Sequence, residues 1–326
     1  MITPAPVELL TRFPALAPLG RPAARLNPRP GAVTAADSHL GGPLRWPAAE
    51  TWPTCDTPHM VAEEVPLPAE LLARLREREA HRTQAHVMAD GELELLEEIA
   101  RLVGPGYTGF GSVNGGPYVG HRYVARPHPT PNPMVALAQL RAADLPDLPR
   151  PDGADLLQVL WCPFEHQQAT TWGPTVHLRW RREAEVTDPL AAPPEGEVGD
   201  EHYLPRPCRL HPERVVDYPD PAELPAAIRD ALPRAADEDE DDDDEDVAEF
   251  YDRWPLAFGW KVGGHPFWTL TDPTPTPCPS CAGPTRLVLT IDSTRETTGV
   301  VVGRYGALRV FACLACPGTP VVLNQQ

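Results

Sequence analysis

The stretch GWKVGGHPFW, residues 259–268, indicates how the chain is organised. It contains Lys261, the only lysine among 28 lysine and arginine residues, just before a paired glycine that is followed four positions later by Trp268. The N-terminal half carries a similar stretch, SHLGGPLRWP at residues 38–47, with Trp46 four positions after its second glycine. A proline lies between the glycines and the tryptophan in both stretches.

Further matches extend this comparison along the two halves. LQVLWC at residues 157–162 resembles LRVFAC at residues 308–313, and an apolar run of strand length precedes each, VALAQL in one half and LVLTI in the other. Features that recur in the same order indicate an internal duplication. Paired glycines permit positive φ and close backbone approach, so both glycine stretches are predicted to be sharp turns or bulges beside an inserted tryptophan.

The two glycine turns also define a candidate binding seam. His39 and Lys261 are equivalent in the alignment, and a positively charged side chain at both places could cap a carbonyl or meet a carboxylate between the halves. A chance position of the lone lysine is the equally weighted alternative. The candidate binding residues are His39, Gly41, Gly42, Arg45, Trp46, Lys261, Gly263, Gly264 and Trp268.

Periodicity predicts helices in the first half and strands elsewhere. AELLARLREREAHR from Ala69 and GELELLEEIARLVG from Gly91 repeat leucine at helical spacing, which predicts a helical pair. Strands are predicted for MVALAQL, DLLQVLW and TVHLRW in the first half, and for RVVDY, RLVLTI, GVVVG and ALRVFA in the second. Residues 104–133 are rich in glycine and proline, and we expect them to be mostly loop.

The strongest chemical pattern is a pair of Cys-x-x-Cys motifs, Cys278 with Cys281 and Cys313 with Cys316. Each motif presents two thiolates from one tight turn, and the strands between the motifs can bring the pairs together into a tetrahedral zinc site. Four cysteines leave no open position for water, so the predicted zinc is structural. Disulfides, which a reducing cytoplasm disfavours, and unliganded buried thiols are the competing interpretations.

The remaining cysteines and two carboxylate–imidazole pairs have structural interpretations. Cys55, Cys162 and Cys208 lack partners at common metal-binding spacings, and we expect them to pack in the core. Glu165 with His166 and Glu201 with His202 could serve acid–base chemistry, but neighbouring side chains on a strand point to opposite faces, so adjacency alone does not make a catalytic pair. A solvated loop is the favoured interpretation for both pairs. The sequence contains no known hydrolase, metalloprotease, nucleotide-binding or kinase motif, so no catalytic residue is assigned.

These features predict an α+β protein, internally duplicated and mostly antiparallel, with an inserted helical pair and a C-terminal zinc-ribbon-like element. The first repeat is predicted to span residues 1–182. A proline-rich linker at 183–200 and the second repeat at 201–326 follow, and the second repeat contains the zinc element at 278–316.

Charge limits the classes of partner. The formal net charge is −18, which argues against direct nucleic-acid binding because phosphate contacts need a basic surface. Residues 237–246 form a continuous acidic run, predicted to be a solvated loop, with a solubilising linker favoured over a docking tail. No apolar stretch approaches the roughly 20 residues of a membrane helix, and no signal peptide is apparent, so a cytoplasmic location without membrane contact is expected.

Several segments resemble one known family. SHLGGPLRWP, MVALAQLRAADLP, GADLLQVLWCP, LPRPCRLHPERVVDYP, GWKVGGHPFW and RLVLTIDS, in that order, look like the YwqG-like family of uncharacterised bacterial proteins in its longer actinobacterial form. The resemblance implies an α+β fold with internal pseudo-symmetry and brings no established activity. Family members usually show Ser-Lys before the first glycine pair, whereas this chain has Ser38 and His39 there.

Recognition is the function that the sequence favours. We expect a non-catalytic scaffold that binds a protein partner, and one form of this hypothesis is an antitoxin or immunity-like protein that covers a basic partner. An enzyme that acts on a small molecule in the cleft between the repeats, using Lys261, His39 or Arg45, is the alternative.

Overall fold

The computed structural model describes residues 2–3, 7–81, 92–112, 118–167, 172–232, 254–268 and 272–326, and the acidic run at 237–246 lies outside them. The chain divides into two units. The larger unit comprises Met1–Cys55, Asn132–Pro163 and Gln168–Gln326, and the smaller comprises Asp56–Pro131 and Phe164–Gln167. This division differs from the predicted one at 182 and 201.

The larger unit contains a seven-stranded sheet whose pairs are antiparallel except for the edge strand β1, which is parallel to β16. In spatial order the strands are β1 (Ile2–Thr3), β16 (Glu213–Asp217), β2 (Arg21–Arg25), β17 (Lys261–Gly263), β18 (Arg286–Asp292), β19 (Ala307–Ala312) and β20 (Val321–Gln325).

The same unit contains a six-stranded antiparallel sheet. In spatial order its strands are β14 (Val176–Arg181), β11 (Leu156–Trp161), β10 (Val135–Arg141), β4 (His39–Leu40), β15 (Cys208–Arg209) and β3 (Arg29–Pro30). A short pair, β5 (Thr54–Cys55) with β9 (Asn132–Pro133), and the short strand β13 (Trp172–Gly173) complete the strands of this unit.

Four strands of each sheet follow the same order. The series β4-β10-β11-β14 and the series β17-β18-β19-β20 are both antiparallel throughout. Each series has a register irregularity in its second strand, between Ala136 and Ala138 in one and between Leu287 and Leu289 in the other. The two glycine turns therefore leave their sheets from corresponding strands, β4 and β17.

Two strands cross over between the halves of the sequence. N-terminal β2 pairs with β17 and β16 in the seven-stranded sheet, although most of that sheet comes from the second half. In turn, β15 pairs with β4 and β3 in the six-stranded sheet. These long-range pairings explain why the larger unit includes both ends of the chain.

One apolar cluster draws side chains from both sheets. Leu40, Leu137 and Leu157 come from the six-stranded sheet, and Val288 and Leu308 come from the seven-stranded sheet. All five are fully buried. Strands that alternate apolar side chains towards such a core are stabilised mainly by the area that they remove from water.

Helices in the larger unit are short. They are α1 (Val7–Arg12), α4 (Ala226–Arg229) and α5 (Arg295–Thr298), with 3-10 turns at Pro14–Leu19, Glu183–Glu185, Glu201–Tyr203 and Pro221–Glu223. The predicted linker packs against the first glycine turn, because Val186 is buried and its carbonyl accepts hydrogen bonds from the Arg45 guanidinium.

The smaller unit is a three-stranded antiparallel sheet with two helices. Its strands are β6 (His59–Pro66), β8 (Tyr118–Arg126) and β7 (Tyr107–Ser112) in spatial order, its helices are α2 (Ala69–His81) and α3 (Glu92–Val103), and it includes the short strand β12 (His166–Gln167). Leu71 of α2 and Ile99 of α3 pack in one buried cluster, which confirms the predicted helical pair.

Two local predictions are wrong. Residues 104–133 are not mostly loop, since β7 and β8 form a hairpin there, and the glycine at 120 leaves room for Val103 of α3 to pack on the strand. GVVVG at residues 299–303 is not a strand. The valines at 300–302 are buried in a loop. A hydrogen bond from the Thr294 amide to the Val300 carbonyl closes this loop.

Candidate functional site

Strand pairing brings the two Cys-x-x-Cys motifs to one edge of the seven-stranded sheet. Arg286 at the start of β18 pairs with Ala312 at the end of β19. Residues before β18 and after β19 therefore leave the sheet side by side. The first motif lies in the loop before β18, and the second lies between β19 and β20.

The four sulfur atoms have the spacing of a metal site. The Cys278 and Cys316 Sγ atoms are 4.0 Å apart, and the Cys281 and Cys313 Sγ atoms are 3.9 Å apart. All four sulfur atoms lie within 4.8 Å of one another. A disulfide would need about 2.05 Å. Tetrahedral zinc with bonds of about 2.3 Å places its sulfur ligands about 3.8 Å apart, so the geometry fits zinc.

Backbone groups of the first motif point at its sulfur atoms. The amide of Ser280 donates to the Cys278 Sγ, and the amide of Gly283 donates to the Cys281 Sγ, both at 3.4 Å. Ala282 has a positive φ of 56°, which folds the loop tightly around the sulfur atoms. Hydrogen bonds from amides stabilise a thiolate, which is the form that binds metal.

Two of the four thiols, Cys278 and Cys316, have strongly shifted pKa values. Burial raises the pKa of Cys278, but hydrogen bonds from the Ser280 and Cys281 amides and from neighbouring thiols outweigh it and bring the pKa to about 7. Hydrogen bonds with Cys281 and Cys313 raise the pKa of Cys316 to about 12. A divalent cation would allow all four to be thiolates at once. Four sulfur ligands suit zinc in a closed, structural site.

The remaining cysteines are buried, as the sequence predicts. Cys55, Cys162 and Cys208 are at most 3% exposed. The expectation that His166 lies in a solvated loop is wrong, because it is 3% exposed.

Lys261 is a buried structural cation. Its ammonium donates to the Asp217 Oδ2 at 2.7 Å and to the His265 carbonyl at 2.5 Å, and both side chains are fully buried. Burial lowers the pKa of Lys261, and Asp217 partly offsets that effect. The predicted contacts with a carboxylate and a carbonyl are therefore both present.

Asp217 also explains the second glycine pair. It accepts hydrogen bonds from the amides of His265 and Ala257. Gly263 and Gly264 have φ values of 70° and 72°. A Cβ at Gly264 would lie 2.2 Å from the Asp217 Oδ2. Only glycine lets this turn close around the carboxylate.

His39 plays a similar part in the first turn. Its Nε2 donates to the Pro43 carbonyl at 3.1 Å, and its Nδ1 accepts from the Gly42 amide at 3.2 Å. The side chain is fully buried, and burial lowers its pKa. His39 and Lys261 thus each contact the carbonyl four residues ahead. Gly41 has a φ of 61°, and a Cβ there would lie 2.4 Å from the Pro205 carbonyl oxygen.

The tryptophans beside the two turns each lie under a guanidinium group. Arg181 is 4.7 Å from the ring centroid of Trp46, and Arg309 is 4.4 Å from that of Trp268. Trp46 is 1% exposed, whereas Trp268 and Gly264 line a cavity of about 360 Å³. The structure therefore shows the residues of each glycine turn in contact with their own surroundings in the fold. Their predicted role in binding a ligand stays a prediction.

No family model and no curated protein matches the chain. Among the described residues, no helix has both the length and the apolar character that crossing a membrane requires.

Proposed function

We propose that the protein is a non-catalytic recognition scaffold that binds a basic protein partner and is stabilised by zinc at Cys278, Cys281, Cys313 and Cys316. The observation that carries this proposal is the position of Lys261. Its ammonium is fully buried and bonded to Asp217 and to a carbonyl, so it supports the turn and does not face a substrate. His39 supports the other turn in the same manner.

We also propose that the scaffold arose by internal duplication. Matching strand order in β4-β10-β11-β14 and β17-β18-β19-β20 supports it. In the strand register, His39 lies opposite Gln139, and Lys261 lies opposite Thr290, at corresponding places. We further propose that the chain belongs to the YwqG-like family and that it is located in the cytoplasm.

Charge and an exposed aromatic side chain support a basic protein partner. The net charge of −18 favours association with a positively charged surface. Phe258, next to the second glycine turn, is 52% exposed and lines a cleft of about 350 Å³ together with Trp260 and Asp292. Aromatic residues are enriched in the cores of protein interfaces. An antitoxin or immunity-like protein would present such a surface.

Affinity capture from the native host tests this function. The wild-type chain should retain one basic protein in stoichiometric amount, and added salt should release it. Phe258→Ser should weaken capture, whereas Leu102→Ser, at a 46% exposed position of α3, should not. Absence of a stoichiometric partner, or equal capture by both variants, would contradict the proposal.

A second candidate function is an enzyme that acts on a small molecule. Arg309 favours it, because its Nε and Nη2 atoms are buried and have no hydrogen-bond partner, and its ring neighbour Trp268 lines the cavity of about 360 Å³. Arg21 and His265 line the same cavity. Calorimetry with small carboxylates and phosphates would detect binding, which Arg21→Gln should weaken. A lack of heat with any of them would exclude this candidate.

A further inference from the structure

Arg309 of β19 has a buried guanidinium group that the fold pairs only in part. Its side chain is fully buried, and its Nη1 donates a hydrogen bond to the Phe267 carbonyl. The Nε and Nη2 atoms are buried as well, and no described residue supplies a hydrogen-bond partner to either of them. Because a buried charged donor is costly to leave unpaired, these two atoms favour a partner from outside the chain.

The two unpaired atoms form one edge of the guanidinium group. The Nε and Nη2 atoms present parallel N–H groups that match the two oxygens of a carboxylate, and such bidentate pairs are strong. The Thr290 hydroxyl lies on the neighbouring strand β18, in register with Arg309. Its Oγ1 is buried and has no hydrogen-bond partner within the described part of the chain. A hydroxyl donor is therefore present beside the guanidinium.

A cavity of about 360 Å³ lies next to this guanidinium. Trp268, whose ring centroid is 4.4 Å from the guanidinium carbon of Arg309, lines the cavity. Phe311 and Leu287 line it too, and they are opposite each other in the register of β19 and β18. Phe311 is two residues beyond Arg309 in the same strand, so both side chains lie on the cavity face of β19. The volume and the apolar walls suit a small organic molecule.

Charges around Arg309 favour a ligand with a single negative charge. Burial lowers the pKa of Arg309 to about 10, and the carboxylates of Glu223 and Asp220 partly offset that effect. Burial raises the pKa of Glu223, which lines the cavity together with Arg21. Two guanidinium groups and two carboxylates cancel in total. A monocarboxylate is therefore accommodated more easily than a doubly charged phosphate.

The first glycine turn shows which group such an arginine binds. Arg181 lies 4.7 Å from the ring centroid of Trp46. Its Nη1 and Nη2 donate to the two carboxylate oxygens of Glu50, at 2.9 Å and 3.4 Å. A carboxylate of the chain itself therefore pairs with the guanidinium beside this tryptophan. At the second turn, no carboxylate of the described residues accepts from the Arg309 Nε or Nη2.

We propose that the cavity beside Trp268 binds a small organic monocarboxylate. Its two oxygens accept from the Arg309 Nε and Nη2 atoms, and its apolar part packs against Phe311 and Leu287. The Thr290 hydroxyl is a further donor to the same carboxylate. This site rests on the cavity of the second candidate function and names its ligand class, but binding itself requires no reaction.

Calorimetry of the full chain with phenylacetate and hexanoate tests the ligand class. Phenylethanol and hexanol are neutral molecules of nearly the same shape, and inorganic phosphate is an anion without an apolar part. Each carboxylate should bind at least about tenfold more tightly than its alcohol and than phosphate, because hydrogen bonds to a charged group contribute strongly. No binding of either carboxylate, equal affinity for acid and alcohol, or tighter binding of phosphate would overturn the proposal.

Substitutions test the residues of the site. Arg309→Met should weaken phenylacetate binding at least about tenfold and leave phenylethanol binding unchanged. This variant should stay folded, because it removes an unpaired buried charge. Arg286→Met, the same substitution at an exposed position of β18, is the control and should bind like the wild type. Equal phenylacetate affinity in Arg309→Met and in the wild type would contradict the proposal.

A second variant keeps the test decisive if Arg309→Met does not fold. Glu223→Gln should strengthen phenylacetate binding about two- to fivefold, because it removes a negative charge from the cavity wall. Unchanged or weaker binding in this variant would count against the site.

Two further measurements separate this site from the proposed functions. Phe258→Ser should weaken capture of the protein partner and keep phenylacetate binding, and a loss of phenylacetate binding would contradict the position of the site. Phenylacetate that binds and is recovered unchanged after incubation with the protein would support the site and contradict only the enzyme candidate.

Discussion

Lys261 donates a hydrogen bond of 2.7 Å to Asp217, and neither side chain is exposed to solvent. The pair joins β17 to the end of β16 across the intervening strand β2. The carboxylate also holds the amides of Ala257 and His265. One ion pair therefore fixes the second glycine turn.

Breaking this pair should destabilise the fold. Lys261→Met should lower the free energy of unfolding by about 3–5 kcal/mol, because it leaves a buried carboxylate without its cation. Asp217→Ala should cost at least as much, since it removes the acceptor of two amides as well. Urea unfolding measures both. Arg286→Met, at an exposed position, is the control and should change stability by no more than about 0.5 kcal/mol. Equal stability of the control and Lys261→Met would contradict a structural role.

Two glycines with the same backbone angle should respond differently to alanine. Gly264→Ala should cost well over about 2 kcal/mol, because the added Cβ would lie 2.2 Å from the Asp217 Oδ2 at a φ of 72°. Gly318→Ala has a φ of 74° but open space around the Cβ, so it should cost only about 1–2 kcal/mol. The comparison of their thermal unfolding separates steric conflict from backbone strain, and similar losses would count against the tight turn.

Acidification should destabilise the protein through His265. Burial and the charge of Arg21 lower its pKa to about 4, although its ordinary value is 6.5. The unfolded chain therefore binds more protons than the folded chain between these values, so stability falls as the pH falls through that window. The loss should approach about 2–3 kcal/mol. His265→Gln should flatten the dependence measured by urea unfolding at several pH values, whereas exposed His211→Gln should leave it unchanged.

The sequence predicts local features better than long-range ones. Leucine spacing locates α2 and α3, and the glycine pairs locate both turns. The partner of Lys261 could not be found, because Asp217 lies 44 residues away and its approach depends on sheet pairing. The sequence also does not indicate that β2 pairs with β17 or that β15 pairs with β4, because strand pairing between distant segments leaves no periodic signal.

Composition also misled the prediction at particular residues. Glycine and proline around Tyr107–Ser112 suggested a loop. These residues instead form β7, which pairs with β8, and a glycine in β8 is what lets α3 pack closely on that strand. Valines at 300–302 suggested a strand, although they are buried in a turn.

Zinc content measured together with unfolding tests the central claim most directly. Cys278→Ser with Cys316→Ser should lose about one zinc ion per chain and unfold at a lower temperature than the wild type, while its circular dichroism at low temperature stays the same. Identical zinc content and an identical unfolding temperature in this variant and in the wild type would contradict a structural metal at the edge of the seven-stranded sheet.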